Sequence, residues 1–185
     1  MSILVTMHPS TLEKGQSEAH AKFLLEALDE IKDVRIIFTQ SNADPEGMNI
    51  TSMFKRYSEK NGKRCKFFSS LGQKAYFSAM RHVDIMVGNS SSGIIEMPHF
   101  KKPTVNIGNR QAGRLRAKSV IDCRPTKESI LAAIMKASSP SFGRILAVTR
   151  NPYEKDNTSR NIKEIIRKID LSSILSKKFH DIIFS

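Results

Sequence analysis

The strongest candidate for binding a charged ligand is the stretch from Val87 to Glu96, where an apolar run opens into a helical pattern. Its middle contains only small and polar residues: Gly88, Asn89, Ser90, Ser91, Ser92 and Gly93. Backbone N–H groups at a helix start and serine hydroxyls can donate hydrogen bonds to a phosphate. The Glu96 carboxylate, one turn further, can accept hydrogen bonds from the two hydroxyls of a ribose. An ordinary Ser/Gly turn explains the spacing equally well, because the stretch matches neither a Walker loop nor a G-x-G-x-x-G motif.

A second candidate is the arginine-bearing loop from Asn106 to Arg116, which follows the next apolar run. A planar guanidinium can contact a phosphate through two parallel hydrogen bonds. The loop therefore predicts phosphate contacts by its arginines, Arg110, Arg114 and Arg116. A basic surface loop, or a contact to nucleic acid, is the alternative interpretation.

Two further segments follow the first and second apolar runs. His8 can act as an acid, a base or a donor to phosphate near neutral pH, although a lone histidine is more often structural. Asn42 and Asp44 can bind a sugar, but an Asx turn is the better interpretation. For Phe67 and Phe68, at the end of the third run, we expect core packing rather than contact with a nucleobase. No metal or other cofactor is predicted, since no histidine shares ligand spacing with a cysteine or carboxylate.

The elements that position these residues are short apolar runs alternating with helical patterns. The predicted strands are Ile3 to Thr6, Val34 to Phe38, Cys65 to Phe68, Ile85 to Val87, Thr104 to Ile107 and Val120 to Ile121. The predicted helices between them are Ser17 to Ile31, Met53 to Lys60, Gln73 to Arg81 and Gly93 to Phe100. This alternation indicates the α/β class, with a Rossmann-like parallel sheet, flanking helices and a ligand at the carboxyl ends of the strands.

The C-terminal part has a different pattern. Thr126 is predicted to cap a helix that runs to Ala137 and stops at the cluster Ser138, Ser139, Pro140 and Ser141. Two amphipathic helices, Thr158 to Ile169 and Leu171 to Phe184, are then expected. The apolar residues of the last helix, including Phe179 and Phe184, need a surface to lie on, and this favours a homodimer.

Length and composition are those of one soluble domain. We expect the 185 residues, with 39% hydrophobic and 26% charged residues, to form a single domain over positions 1–185. No apolar run approaches the ~20 residues of a membrane span, and the first residues resemble a strand rather than a signal peptide. We therefore expect a cytoplasmic protein with Cys65 and Cys123 reduced. The net charge of +12 favours an anionic partner, namely nucleic acid, an acidic membrane surface or a phosphorylated small molecule.

Taken in order, these segments resemble the hydrolysing UDP-N-acetylglucosamine 2-epimerases, which form N-acetylmannosamine for sialic acid synthesis. The resemblance spans roughly His8 to Asn161, and its most specific parts are His8-Pro9, Asn42-Ala43-Asp44, Gly88 to Glu96, Asn106 to Arg114 and Asn151-Pro152-Tyr153. The non-hydrolysing branch has His-Arg-Arg-Glu-Asn and Asp-Ser-Gly-Gly where this chain has His8-Pro9-Ser10-Thr11 and Asn89-Ser90-Ser91-Ser92. The hydrolysing branch therefore fits better.

The resemblance implies the second of two Rossmann-like domains in a glycosyltransferase-B arrangement, with the nucleotide sugar bound between them. It further implies that Ser90, Ser91, Ser92 and Gly93 hold the pyrophosphate and Glu96 the ribose. Arg110 and Arg114 would contact the phosphates, and His8 would face the sugar and pyrophosphate. The reaction would eliminate UDP to a 2-acetamidoglucal and then add water. The acidic residues for the sugar protons belong to the N-terminal domain, which is absent here, so the isolated chain is expected to be inactive.

Two other functions stay open at this point. A glycosyltransferase-B domain shares the sheet, the phosphate-binding turn and the acidic residue on ribose, and differs in transferring the sugar to an acceptor. A noncatalytic nucleotide-binding or nucleic-acid-binding protein would use the +12 charge, and its affinity for nucleic acid would fall steeply with salt.

Overall fold

The computed structural model describes residues 1–10 and 15–172 of the chain. Contacts divide the chain into two compact units, Met1–Tyr153 and Glu154–Ser185. The first unit contains the sheet and all the predicted site residues. The assignment of residues 1–185 to one domain stays a prediction. No helix among the described residues is long and apolar enough to cross a membrane.

The first unit is built on a parallel sheet of six strands in the order β3-β2-β1-β4-β5-β6. The strands are β1 (Ser2–Thr6), β2 (Arg35–Thr39), β3 (Cys65–Phe68), β4 (Ile85–Gly88), β5 (Thr104–Ile107) and β6 (Val120–Cys123). This confirms the predicted α/β class, with every predicted strand within a few residues of its expected position. The chain order reverses between β1 and β4, and ligands of such sheets bind at this switch point beyond the carboxyl ends of the strands.

Helices cover both faces of the sheet. They are α1 (Ser17–Asp29), α2 (Pro45–Lys60), α3 (Gly72–His82), α4 (Ser92–Ile95), a 3₁₀ turn (Met97–Phe100), α5 (Lys127–Ala137) and α6 (Pro140–Ala147). Strand residues alternate between two buried clusters. Ile3 and Val5 pack with the cluster that includes Phe38 and Phe54, while Leu4 packs with the smaller cluster on the other face.

Several predicted helix boundaries are wrong. Helix α2 begins at Pro45 rather than Met53, because the Asp44 carboxylate caps its start by accepting a hydrogen bond from the Gly47 N–H at 2.7 Å. The single helix predicted from Gly93 to Phe100 is one α-turn followed by a 3₁₀ turn, with Pro98 near the start of the latter.

Two other expectations need correction. The serine cluster that ends α5 also starts α6, since the Ser139 hydroxyl accepts a hydrogen bond from the Phe142 N–H and Pro140 occupies the first turn. Phe68 is 40% exposed and therefore does not lie in the core, whereas Phe67 packs against the main cluster.

In the second unit, α7 (Thr158–Lys168) is amphipathic, in agreement with the sequence pattern. Ile162, Ile165 and Ile166 on this helix are exposed. The helix predicted from Leu171 to Phe184, with Phe179 and Phe184, lies outside the described residues apart from its first two positions.

The junction between β1 and β4 depends on the absence of a side chain at Gly88. Its φ is +140°, and a Cβ at this position would lie 2.0 Å from the Thr6 carbonyl oxygen. Only glycine therefore allows the two central strands to approach each other this closely at their carboxyl ends.

We predict that Gly88→Ala destabilises the fold by about 3 kcal/mol, because the methyl group collides with backbone that cannot move freely. Gly143→Ala is the matched control, since a Cβ there meets no atom within 4 Å. As Gly143 lies inside α6, alanine should leave stability unchanged or raise it by about 0.5–1 kcal/mol. Urea unfolding of both variants measures the difference, and equal midpoints would contradict the close approach.

Candidate functional site

The predicted site residues meet at the carboxyl edge of the sheet, around the switch point. His8 follows β1, Asn42 follows β2, Ser90 follows β4 and Arg110 follows β5. The structure therefore brings together four segments that lie far apart in the sequence, as parallel strands require.

Asn89 connects three of these segments. Its side-chain oxygen accepts a hydrogen bond from the His8 N–H at 2.8 Å, and its Nδ2 donates to the His8 carbonyl at 2.8 Å. Its backbone carbonyl accepts from Gln111 Nε2 at 2.8 Å and from Arg110 Nη1 at 3.2 Å. Arg110 Nε also donates to the Pro9 carbonyl at 3.3 Å. Asn89 is buried, so these bonds fix the relative positions of the loops after β1, β4 and β5.

His8 is held in one tautomer. Its Nδ1 accepts a hydrogen bond from the Asn42 N–H at 3.2 Å, which leaves Nε2 to carry the proton. Burial, aided by the Arg110 charge and opposed by the Asp44 charge, lowers the pKa of His8 to about 4. At neutral pH His8 is therefore an uncharged hydrogen-bond donor through Nε2.

The serine turn is short and tightly packed. The N–H groups of Gly93 and Ile94 donate to the carbonyls of Ser90 and Ser91, so much of the backbone donor capacity is used within the turn itself. A Cβ at Gly93 would lie 2.6 Å from the Thr104 methyl carbon, so the close packing of this turn against β5 favours glycine at this position. The hydroxyls of Ser90 and Ser92 lie 2.9 Å apart. The phosphate-binding potential of this turn therefore resides mainly in its hydroxyls.

Glu96 lies at the junction between α4 and the 3₁₀ turn and is half-buried. Burial raises the pKa of its carboxyl above the ordinary value. Its Oε2 is buried and, among the described residues, has no hydrogen-bond partner. The preceding residue, Ile95, is held by Asn151, whose Nδ2 donates to the Ile95 carbonyl at 2.9 Å. A buried carboxylate oxygen without a donor is an acceptor available to a ligand hydroxyl.

The other predicted residues differ in role. Asp44 caps α2, in line with the turn interpretation, and Asn42 is exposed and contacts His8 through its backbone. Arg114 is exposed in the loop after β5. Arg116 makes an ion pair with Asp122 at 2.9 Å, which makes it structural.

Three residues that contact the predicted site segments have no individual role predicted from the sequence pattern: Asn89, Gln111 and Tyr76. Asn89 and Gln111 are buried amides that organise the loops. The Tyr76 hydroxyl, from α3, lies 2.8 Å from the Ser92 hydroxyl. A polar residue directly after a buried strand, such as Asn89, is a usable signal, but nothing local to Tyr76 indicates its contact. No group of three His, Cys, Asp or Glu side chains within the described ranges could hold a metal ion.

Solved structures with the same fold include nucleotide-sugar epimerases. S. aureus MnaA, solved with UDP, has a TM-score of 0.68 at 15% identity, over 90% of this chain and 44% of that chain. The UDP-GlcNAc 2-epimerase from Neisseria meningitidis, bound to UDP-GlcNAc, has a TM-score of 0.61 at 15% identity, over 91% of this chain and 44% of that chain. These similarities show a shared fold of the glycosyltransferase-B type.

Sequence comparison is more specific. A Campylobacter jejuni protein named GDP/UDP-N,N'-diacetylbacillosamine 2-epimerase (hydrolyzing) is 39% identical over 97% of this chain and 46% of its own length. The Escherichia coli polysialic acid biosynthesis protein P7 is 34% identical over 97% of this chain and 46% of its own length. The chain thus spans about half the length of the curated relatives it matches. The family model described as UDP-N-acetylglucosamine 2-epimerase matches residues 1–167, and the chain therefore belongs to this family.

Proposed function

We propose that this chain is the UDP-binding half of a hydrolysing UDP-sugar 2-epimerase. The observation that carries the proposal is the buried Oε2 of Glu96, one turn beyond the hydroxyls of Ser90 and Ser92, which has no hydrogen-bond partner in the described part of the chain. A ribose diol supplies donors to a carboxylate, and a diphosphate accepts hydrogen bonds from hydroxyls. Both halves of a nucleoside diphosphate therefore find complementary groups on adjacent turns.

The positive charge of the site comes from arginines. Arg110 is fixed by its bonds to the Pro9 and Asn89 carbonyls, while Arg114 is exposed in the same loop. His8 adds a neutral Nε2–H donor near Arg110. When the C1–O bond of the sugar breaks, its electron pair leaves with UDP, and these groups stabilise the developing charge.

The substrate class follows from the relatives. Those from Campylobacter jejuni and Legionella pneumophila are named for N,N'-diacetylbacillosamine, and one from Neisseria meningitidis is named UDP-N-acetylglucosamine 2-epimerase. We therefore propose a UDP-activated 2-acetamido sugar, with UDP-N-acetylglucosamine as the first candidate. The groups that move the sugar protons are assigned to a partner domain, because this chain spans about half of those relatives.

Our first functional prediction is that the chain binds UDP without turnover. Glu96→Gln should weaken UDP binding about tenfold to a hundredfold, since it removes a charge-assisted acceptor. Arg114→Ala should weaken it about threefold to tenfold. Calorimetry with UDP, and with GDP to test the base, measures these effects.

Arg144→Ala is the matched control for these variants, because it removes the same charge from an exposed position on α6. It should leave UDP affinity unchanged. If Glu96→Gln and Arg114→Ala bound UDP as tightly as the wild-type chain, the residue assignment would be wrong. Tight, salt-sensitive binding of duplex DNA without UDP binding would instead favour a nucleic-acid-binding protein.

The complete reaction is tested by pairing the chain with an N-terminal domain from a relative. We expect release of UDP and a free 2-epimerised amino sugar, measured by NMR for UDP-N-acetylglucosamine and for the diacetylbacillosamine nucleotide. A folded pair that instead transferred the sugar to an added acceptor would show a glycosyltransferase.

A further prediction concerns pH. Because the folded-state pKa of His8 is about 4 against an ordinary 6.5, the unfolded chain takes up a proton between these values that the folded chain does not. The free energy of unfolding should therefore fall as pH falls through this window, by about 3 kcal/mol from His8. His8→Asn keeps an acceptor for the Asn42 N–H and should remove the contribution of His8 to this fall, as measured by urea unfolding at several pH values.

His82→Asn, at an exposed position, is the matched control. An unchanged slope in His8→Asn would contradict the burial of a neutral imidazole.

A further inference from the structure

A continuous chain of side-chain hydroxyls runs from the interior of the sheet to the serine turn. The Thr39 and Thr6 hydroxyls lie 2.7 Å apart, and the Thr6 hydroxyl lies 3.2 Å from the Tyr76 hydroxyl. The Tyr76 and Ser92 hydroxyls are 2.8 Å apart, and those of Ser92 and Ser90 are 2.9 Å apart. This hydroxyl chain, formed by Thr39, Thr6, Tyr76, Ser92 and Ser90, thus links β2, β1 and α3 to the turn after β4.

The inner part of the hydroxyl chain is shielded from water. Thr6 and Thr39 are buried, and Tyr76 is largely covered where it reaches from α3 over the strand ends. Burial raises the pKa of Tyr76 above its ordinary value, although its hydrogen bonds to Ser92 and Thr6 oppose this. The phenol therefore keeps its proton and can donate it at neutral pH.

Each hydroxyl has one proton, so the direction of one bond sets the direction of the next. If Thr39 donates to Thr6, then Thr6 donates to Tyr76, Tyr76 to Ser92 and Ser92 to Ser90. The hydroxyl proton of Ser90 is then available to an acceptor that is not part of the hydroxyl chain. In this outward direction all four internal bonds are kept and polarise one another.

The opposite direction presents the turn differently. Thr39 then donates to the Val5 carbonyl, at 3.3 Å, and each following hydroxyl donates inward. Ser90 is left with lone pairs, which repel an anion. A change from the inward to the outward direction loses only the hydrogen bond from Thr39 to the Val5 carbonyl, which is the longest of the series. This change therefore costs little compared with the gain of a charge-assisted bond to a phosphate.

We propose that Tyr76 is a positioning residue for the phosphate-binding turn, and that a bound diphosphate sets the hydroxyl chain in its outward direction through Tyr76. The Tyr76 hydroxyl then donates to Ser92, Ser92 donates to Ser90, and Ser90 donates to a phosphate oxygen. Tyr76 itself does not contact the nucleotide in this role. The inference rests on the proposed function, since it names what aligns the donors of that same site.

The proposed role of Tyr76 is tested by replacing each of the three tyrosines separately with phenylalanine. Tyr76→Phe keeps the ring and removes the link, and should weaken UDP binding about threefold to tenfold in calorimetry. Binding of uridine, followed by NMR, should not change, because uridine has no phosphate. A merely structural defect would weaken both ligands.

The control is Tyr57→Phe, which removes a hydroxyl that donates to Asp29 at 2.6 Å, between α1 and α2. It should leave UDP affinity unchanged. If the wild-type chain binds UDP and Tyr76→Phe binds it equally well, the role of Tyr76 is wrong and the proposed function stands. If the folded wild-type chain does not bind UDP, both are wrong.

A second variant avoids reliance on one substitution. Thr39→Val removes a hydroxyl that is four hydrogen bonds away from Ser90. It should weaken UDP binding about twofold to threefold, whereas Thr39→Ser keeps the hydroxyl and should keep the wild-type affinity. Equal affinity in all three proteins would contradict a coupled chain.

Tyrosine absorption can report the direction of these hydrogen bonds. The sequence contains no tryptophan, so tyrosine dominates the near-ultraviolet spectrum. Saturating inorganic pyrophosphate, which is transparent where tyrosine absorbs, should change the tyrosine spectrum of the wild-type chain, of Tyr57→Phe and of Tyr153→Phe. The change should vanish in Tyr76→Phe. A wild-type spectrum that pyrophosphate leaves unchanged would overturn the proposal.

Discussion

The ligand edge of this sheet depends on the side-chain amide of Asn89. An amide is both donor and acceptor, and Asn89 uses both functions on the backbone of His8, at 2.8 Å each. This pair of bonds extends the β1–β4 pairing by one step beyond the strands, past Gly88, where β1 and β4 already lie too close for a side chain. Loss of the amide would leave partly buried backbone groups of His8 unpaired, which costs more than the bonds themselves contribute.

Charge at this edge is arranged around the fixed position of Arg110. Two adjacent cations in a partly buried place would repel each other, and the low pKa of His8 reflects its burial and this neighbour. The histidine is therefore a neutral donor beside a permanent cation. If a diphosphate binds as proposed, its negative charge would relieve this repulsion and favour protonation of the imidazole, which would couple ligand binding to the charge of His8.

The sheet could be predicted from the sequence because each strand contains a short apolar run, and the central strands β1, β4 and β5 are buried on both faces. Cys65–Phe68 and Thr104–Ile107 have their predicted limits. The start of α2 was missed because its first turn is polar and shows no apolar periodicity, although Asp44 followed by Pro45 is a helix-start signal. That the loops after β1, β2, β4 and β5 meet at one edge was predictable from the strand ends, but the contacts between them were not. Asn89 and His8 are 81 positions apart, and only the folded sheet shows that they touch.

Binding and chemistry are separable in this architecture because the two place different demands on the chain. Recognition of a nucleoside diphosphate needs donors held in advance, and Arg110 is already restrained by the Pro9 and Asn89 carbonyls. A restrained donor loses little conformational entropy when its ligand arrives. Proton transfer to a sugar needs an acid or base within hydrogen-bond reach of the sugar carbons. The pre-organised groups described here are a cation, hydroxyls and a neutral imidazole, which suit a leaving group rather than a carbon acid. Under the proposed function, the proton chemistry is therefore assigned to groups other than these.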